Sequence, residues 1–150
     1  MKLTLKEISV ITLTSSLFSV IAVQLLGFTS AIAFPDWMRA IMTESVTPNS
    51  STRALYLYGW DILVVNFLSV GIPFIVIFSG LLWWLGRASY AMFGVFLFVF
   101  LAFQYAFIPL WYGGFGFFQF SFYMLLQPII LLLCAYLVIS FFKKHNESIQ

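Results

Sequence analysis

Long apolar stretches without a charged residue divide the chain into blocks. These intervals are Ile8–Pro35, Ile62–Gly86 and Ala88–Phe142. A bilayer core needs about 20 apolar residues in a helix that rises about 1.5 Å per residue. The first two intervals therefore predict one membrane-spanning helix each. The third interval, with 55 residues, is long enough for two.

The third interval contains its own turn. The sequence Tyr112–Gly116 is rich in glycine and follows Pro109, a combination typical of a turn. We therefore expect a single all-α domain, a four-helix transmembrane bundle. The predicted helices are 8–34, 57–85, 88–111 and 117–142, with an outer loop at 35–56 and a tail at 143–150.

The composition agrees with a membrane protein. Hydrophobic residues make up 63% of the chain and charged residues 8%, whereas a soluble domain carries roughly 25% charged residues. The net charge is only +2. No basic stripe is present that would neutralise phosphates, so we expect no binding of nucleic acid.

Few side chains are available for chemistry. Cys134 and His145 are each the only residue of their type. An intrachain disulfide, a thiolate metal cage and a haem held between two histidines are therefore not expected, and we predict no cofactor. The sequence also lacks nucleotide-binding and zinc-protease motifs, so we predict that the protein is not an enzyme.

Tryptophan and tyrosine residues lie near the ends of the predicted helices. Both residue types favour the membrane–water interface. The helix from Tyr58 to Trp83 would be about 37 Å long, which suits a bilayer. The predicted interfacial anchors are Trp37, Tyr56, Tyr58, Trp60, Trp83, Trp84 and Trp111.

The distribution of lysine and arginine predicts the orientation, because these residues accumulate on the cytoplasmic side. Arg39 and Arg53, on the opposite side, are diluted by nearby acidic residues. Both termini are thus predicted to be cytoplasmic, and the short loops suit a bacterial inner membrane. The basic residues on the cytoplasmic side are Lys2, Lys6, Arg87, Lys143 and Lys144.

An alternative interpretation concerns the first helix. The basic start followed by an apolar stretch and the sequence Ala31–Ala33 resembles a cleavable secretory signal. Signal peptides have an apolar core of about 7–15 residues, and this stretch is longer. A retained helix is therefore favoured. Cleavage would leave three spans and an external N-terminus.

The longest polar stretch lies between the first two predicted helices. Around Trp37, Ala40 and Ile41 the pattern favours a short amphipathic helix lying on the outer leaflet. This segment, residues 35–53, is one candidate surface for binding.

Polar residues within or beside the spans are the candidates for function, because they are costly in lipid. Asp61, Asn66 and Gln104 are the three that we select. Asp61 has two interpretations. In the first, Asp61 lies at the membrane interface and pairs with Arg53 or Arg39. In the second, Asp61 is partly buried and binds a cation or a proton.

Small residues predict where helices approach closely in lipid. Ser15 and Ser19 form such a pair on the first helix, and Ala102 and Ala106 form one on the third. Prolines predict helix kinks or ends. They are Pro73, Pro109 and Pro128.

Three hypotheses for function follow. The leading one is a non-catalytic subunit or accessory protein that packs its helices against another membrane protein. The second is a small channel or transporter that acts by self-association, with Asp61, Asn66 and Gln104 lining the path. The third is a membrane immunity or sensor protein that binds through residues 35–53.

Overall fold

The computed structural model describes residues 3–32, 59–107 and 122–147. Within these ranges the chain is 94% helical and has no strand. The predicted all-helical class is therefore confirmed for the described residues. Four helices are present: α1 (Leu5–Ile32), α2 (π-helical over Asp61–Gly71, then α-helical over Ile72–Leu85), α3 (α-helical over Tyr90–Ala102, then π-helical over Phe103–Phe107) and α4 (Phe122–Glu147).

Three of these helices are long and apolar enough to cross a membrane. The qualifying segments are Leu5–Leu26, Ile62–Leu85 and Leu126–His145. In α3 the apolar segment Tyr90–Ala106 is shorter. The predicted amphipathic segment at 35–53, the glycine-rich turn and Pro109 lie outside the described residues.

The N-terminus of α1 is closed by a reciprocal cap. The backbone N–H of Thr4 donates to Glu7 Oε2 at 2.7 Å, and the backbone N–H of Glu7 donates to Thr4 Oγ1 at 3.3 Å. This Thr-x-x-Glu arrangement satisfies two backbone donors that the helix itself leaves unpaired. The cap therefore fixes where α1 begins and holds the Glu7 carboxylate in place.

The first half of α2 is a π-helix. At its end the backbone N–H of Ile72 donates to the carbonyl of Phe67, five residues earlier. The α-helical half then begins with Pro73 in its first turn, where the missing proline N–H costs least. The predicted break at Pro73 is thus a change from π- to α-helix. Such π-helical segments are rare in proteins and frequently occur at functional sites.

A short connection joins α2 to α3. Gly86 ends α2 in the left-handed conformation, with φ of 67°, and its N–H donates to the Trp83 carbonyl at 3.2 Å. Ser89 then caps α3, because its hydroxyl accepts from the Ala91 N–H at 3.0 Å. Glycine is favoured at the first position and serine at the second. We call the end of the bundle with this connection the turn end.

The final helix continues beyond the predicted end near residue 142. It includes Lys143 and Lys144 and reaches Glu147. Lysine is a good helix former, and cations in the last turn interact favourably with the helix dipole. The loss of apolar character at Lys143 therefore marks the end of the apolar segment and not the end of the helix.

The four helices pack around one core, an arrangement compatible with the predicted four-helix bundle. Helix α1 lies between α2 and α3, while α4 packs along both halves of α2 and only loosely beside α3. The core is built from phenylalanine rings with centroids 5.0–6.1 Å apart, a spacing typical of favourable aromatic pairs. Its central rings are Phe18, Phe74, Phe78, Phe93, Phe96 and Phe100.

The outer surface of the bundle is apolar too. Leu63 is 71% exposed, Phe98 74% and Phe141 76%, on three different helices. Large apolar side chains are exposed on all four described helices, whereas monomeric soluble proteins rarely expose contiguous apolar patches larger than a few hundred Å². An apolar solvent on the outside is the environment that this surface fits.

Candidate functional site

The three candidate polar residues lie on α2 and α3. Asp61 is the first residue of the π-helical half of α2, and its side chain lies outside what the structure describes. Asn66, in the same half, is only 3% exposed and has an interaction partner. Gln104 lies in the π-helical end of α3, and its Oε1 is buried without a hydrogen-bond partner among the described residues.

The π-helical segments that contain Asn66 and Gln104 do not pack against each other. The π-helical parts of α2 and α3 each contact α1, and they make no comparable contact with each other. Because Asn66 is buried within a single chain, a path that uses it would run inside the bundle of one chain. The pairing of Asp61 with Arg39 or Arg53 lies outside the described residues.

Like Gln104 on α3, Gln127 on α4 has a buried amide oxygen. Gln127 is 7% exposed, and its Oε1 also lacks a hydrogen-bond partner in the described part of the chain. Gln104 is fourteen residues from Tyr90 and Gln127 sixteen from Lys143, so both lie about 20–25 Å from the turn end. A buried acceptor without a donor costs roughly 1–3 kcal/mol. Gln104 and Gln127 thus place two such acceptors at a similar distance from the turn end.

Hydroxyl groups connect α1 to α3. Ser15 Oγ donates to the Phe96 carbonyl at 2.6 Å, and Ser19 Oγ lies 3.4 Å from the Phe100 carbonyl. Both serines are fully buried. The predicted close approach on the first helix is therefore confirmed, and its partner is α3.

The small pair on α3 behaves differently. Ala102 and Ala106 are both exposed. One and two turns earlier, Phe98 is 74% exposed and Gly94 is open, with no atom within 4 Å of where a Cβ would stand. No described helix covers this face, which we call the small face of α3.

Charged groups meet at the turn end. Arg87 Nη2 and Glu7 Oε2 form an ion pair that joins the start of α1 to the α2–α3 connection, although their alignment is poor for a hydrogen bond. Nearby, Lys143 Nζ lies 5.1 Å from the centre of the Tyr90 ring, a cation–π contact between α4 and α3. The sequence identified these charges only as flanks. The Thr4-x-x-Glu7 spacing was the signal that would have placed Glu7 in a cap.

The aromatic anchors are described only in part. Trp83 is 83% exposed and Trp84 71%, both in the last turn of α2. Trp60, at the other end of α2, is partly buried and has an interaction partner. The remaining predicted anchors, Trp37, Tyr56, Tyr58 and Trp111, lie outside the described residues.

Two apolar grooves flank α4 in its turn-end half. One, of about 450 Å³, lies between α2 and α4, where Trp83 and His145 are among its lining residues. The other, of about 360 Å³, lies between α3 and α4. Its lining residues are Tyr90, Phe93, Leu132, Leu133, Ala135 and Tyr136.

Potential metal ligands lie apart from one another in the described residues. Across residues 3–32, 59–107 and 122–147, no three His, Cys, Asp or Glu side chains come together in a way that would hold a metal ion. Cys134 is a buried free thiol among apolar core residues. The contacts that the described side chains make are close apolar packing, a few hydrogen bonds and the ion pair of Arg87 with Glu7.

Comparison of the chain with known protein families, with curated proteins and with solved structures finds no match.

Proposed function

We propose that the protein crosses a bacterial inner membrane four times, with both termini in the cytoplasm, and acts as a non-catalytic subunit that packs against another membrane protein. Three helices of spanning length support the insertion. The shorter apolar segment of α3, Tyr90–Ala106, has 17 residues, which is at the lower end of the range of about 17–25 for a membrane helix.

The orientation is supported by the charges that meet at the turn end. The ion pair of Arg87 with Glu7 and the contact of Lys143 with Tyr90 place the start of α1, the α2–α3 connection and the end of α4 together. Lys6 and Lys144 belong to the same helix ends. Because basic residues accumulate on the cytoplasmic side, we assign the turn end to the cytoplasm.

The observation that carries the functional proposal is the exposed small face of α3. In lipid, apolar side chains gain nothing by avoiding the solvent, so helices associate through close packing at small residues. Within the bundle, the small residues of α1 are used in this way. On α3, Ala102 and Ala106 face outward, where a helix of another protein can approach the backbone closely. Gly94 lies on the same face beyond the exposed Phe98 ring.

Purification in a mild detergent tests this proposal. We expect a specific protein to copurify with the wild-type chain and to be lost from the double variant Ala102→Leu/Ala106→Leu, because two leucines would fill the small face. Ser140→Leu, at an exposed small residue of α4, is the matched control and should retain the partner. A wild-type chain that is always recovered alone as a monomer would overturn the proposal, as would a double variant that keeps the partner.

A channel or transporter is the second candidate, and the buried amides favour it. Asn66, Gln104 and Gln127 place amide groups inside the bundle, where the other buried polar side chains of the described residues are serines. Flux of small cations into proteoliposomes that is lost in Asp61→Asn would support this function. No flux for any of a broad panel of solutes would exclude it.

A further inference from the structure

One small residue, Ala135, lies among the larger residues that line the groove between α3 and α4. Its inner wall contains Phe93, 6% exposed, and Ala135, 1% exposed, whereas Leu132 and Leu133 at its sides are more than half exposed. A larger side chain at Ala135 would project into the space. The groove therefore opens to the side of the bundle, and its volume of about 360 Å³ lies in the range of about 300–1,000 Å³ that is usual for ligand sites.

A positive charge lies at the turn end of this groove. Tyr90 is one of the lining residues, and the Lys143 ammonium lies over its ring. None of the acidic side chains that the structure describes forms a salt bridge with Lys143, since Glu7 at the same end pairs with Arg87. The groove thus combines apolar walls with one uncompensated cation at the level where α4 leaves its apolar segment.

We propose that this groove binds an anionic phospholipid of the cytoplasmic leaflet. One acyl chain lies between Phe93 and Leu132, and a headgroup phosphate oxygen accepts a hydrogen bond from Lys143. The Lys143 ammonium has three N–H donors, and the Tyr90 ring contacts only one side of the ammonium. Lys143 can therefore bind the phosphate and keep its contact with Tyr90. This inference depends on the proposed membrane insertion with a cytoplasmic turn end.

The charge arrangement favours a lipid over a protein segment as the occupant. Lysines that flank a membrane helix on its cytoplasmic side attract anionic lipid headgroups, and here the lysine lies directly beside an apolar groove. The larger groove between α2 and α4 provides a comparison within the molecule. Its lining contains His145 and no lysine, so we expect it to show no preference for an anionic lipid.

Native mass spectrometry of the detergent-purified chain tests the proposal, with phosphatidylglycerol and phosphatidylcholine of identical acyl chains as probes. We expect one phosphatidylglycerol to be retained in preference to phosphatidylcholine. Lys143→Gln should remove the preference, a loss of about fivefold in relative binding, because both headgroups carry a phosphate but only phosphatidylglycerol has a net negative charge. Lys144→Gln, which changes the neighbouring exposed lysine, should leave the preference intact.

Two further variants test the groove itself. Ala135→Phe fills the inner wall and should abolish retention of phosphatidylglycerol. Because Ala135 is in the core, Leu132→Trp at the exposed side provides a second block that leaves the core unchanged. Equal binding of both lipids by the wild type, or unchanged binding in both blocking variants, would overturn the proposal.

Membrane integration is measured separately, by extraction of membranes at alkaline pH and by reporter fusions at both termini. A chain that stays in the membrane with both ends cytoplasmic but binds both lipids equally would refute only the lipid site. A chain that is released, or whose ends face opposite sides, would refute the topology and with it the basis of the lipid site.

Discussion

Helices α1 and α3 both carry small residues at four-residue spacing, and the bundle uses only one set. Ser15 and Ser19 on α1 are fully buried against α3, whereas Ala102 and Ala106 on α3 are exposed. The Ser15 hydroxyl donates to the Phe96 carbonyl of α3, and the Ser19 hydroxyl donates to the Ser15 carbonyl at 3.0 Å and lies 3.4 Å from the Phe100 carbonyl of α3. The hydroxyl groups make the difference in part, since a buried serine needs an acceptor and finds it on a neighbouring helix. Small residues thus predict close approach, and only the structure shows which pair is already occupied.

The largest expected effect on the free energy of unfolding comes from enlarging a buried small residue of α1. Ser15→Leu inserts a bulky side chain into the closed α1–α3 contact and removes its hydrogen bond to Phe96. We expect a loss of about 3 kcal/mol in the free energy of unfolding, because overpacking alone costs about 1–3 kcal/mol. Reversible unfolding in mixed detergent micelles measures this quantity.

Ala106→Leu is the matched change on the exposed face. It should alter the free energy of unfolding of the isolated chain by less than about 0.5 kcal/mol. Ser15→Ala separates the lost hydrogen bond from the added bulk, and should cost on the order of 0.6–1.7 kcal/mol. Equal losses in Ser15→Leu and Ala106→Leu would show that the two faces are not different.

Glycines provide a second, smaller contrast between inside and outside. A Cβ on Gly71 would lie 2.8 Å from Phe67 Cδ2 and 3.3 Å from Ile130 Cγ2, so α4 approaches α2 closely at this point. A Cβ on Gly94 would meet nothing within 4 Å. We expect Gly71→Ala to destabilise the chain by about 1 kcal/mol, and Gly94→Ala to be neutral or to stabilise the helix by up to about 1 kcal/mol.

The same unfolding measurement compares the two alanine variants. Gly71 ends the π-helical part of α2 and Gly94 lies in the α-helical part of α3. The difference between the variants therefore reports the contact with Phe67 and Ile130 together with the difference in helix type. A stabilising Gly71→Ala would mean that the Phe67 ring moves aside at little cost.

Much of this fold was predictable from the charge-free intervals and from the spacing of the serines on α1. They predicted the helices and the close-approach face of α1, because lipid-compatible length and small-residue spacing are local properties of a sequence. The π-helical half of α2 was not predictable in this way, since Gly71 and Pro73 indicate a break but not the hydrogen-bond pattern before it. The loose packing between α3 and α4 depends on how whole helices are arranged, so it could not be predicted from a short sequence motif.

The candidate site shows the same limit. A polar residue in an apolar stretch, such as Asn66 or Gln104, can be selected from sequence because its position in lipid is costly. Whether it finds a partner depends on the opposing helix. Asn66 has one, while Gln104 Oε1 and Gln127 Oε1 have none among the described residues. Lys143 and Tyr90 are far apart in the sequence, and only the structure shows that their side chains are in contact.

The smallest expected effect concerns the ion pair that joins α1 to the α2–α3 connection. Glu7→Gln preserves the cap on Thr4, because glutamine also serves in this motif, and removes only the charge that faces Arg87. Both side chains are partly exposed, 23% for Arg87 and 15% for Glu7, so solvent and salt screen the pair. We expect a loss of stability smaller than that of Gly71→Ala, detectable at low salt.

Salt separates the charge of Glu7 from its role in the cap. At about 1 M salt the screening length falls to about 3 Å, so the difference in stability between Glu7→Gln and the wild type should become smaller. Thr4→Ala removes the hydroxyl of the cap and leaves the charge, so its destabilisation should persist at every salt concentration. If Glu7→Gln were instead as harmful at high salt as at low salt, the carboxylate would act through the cap alone. The contact between α1 and α3 would then depend on the serines and the phenylalanine core without help from the turn end.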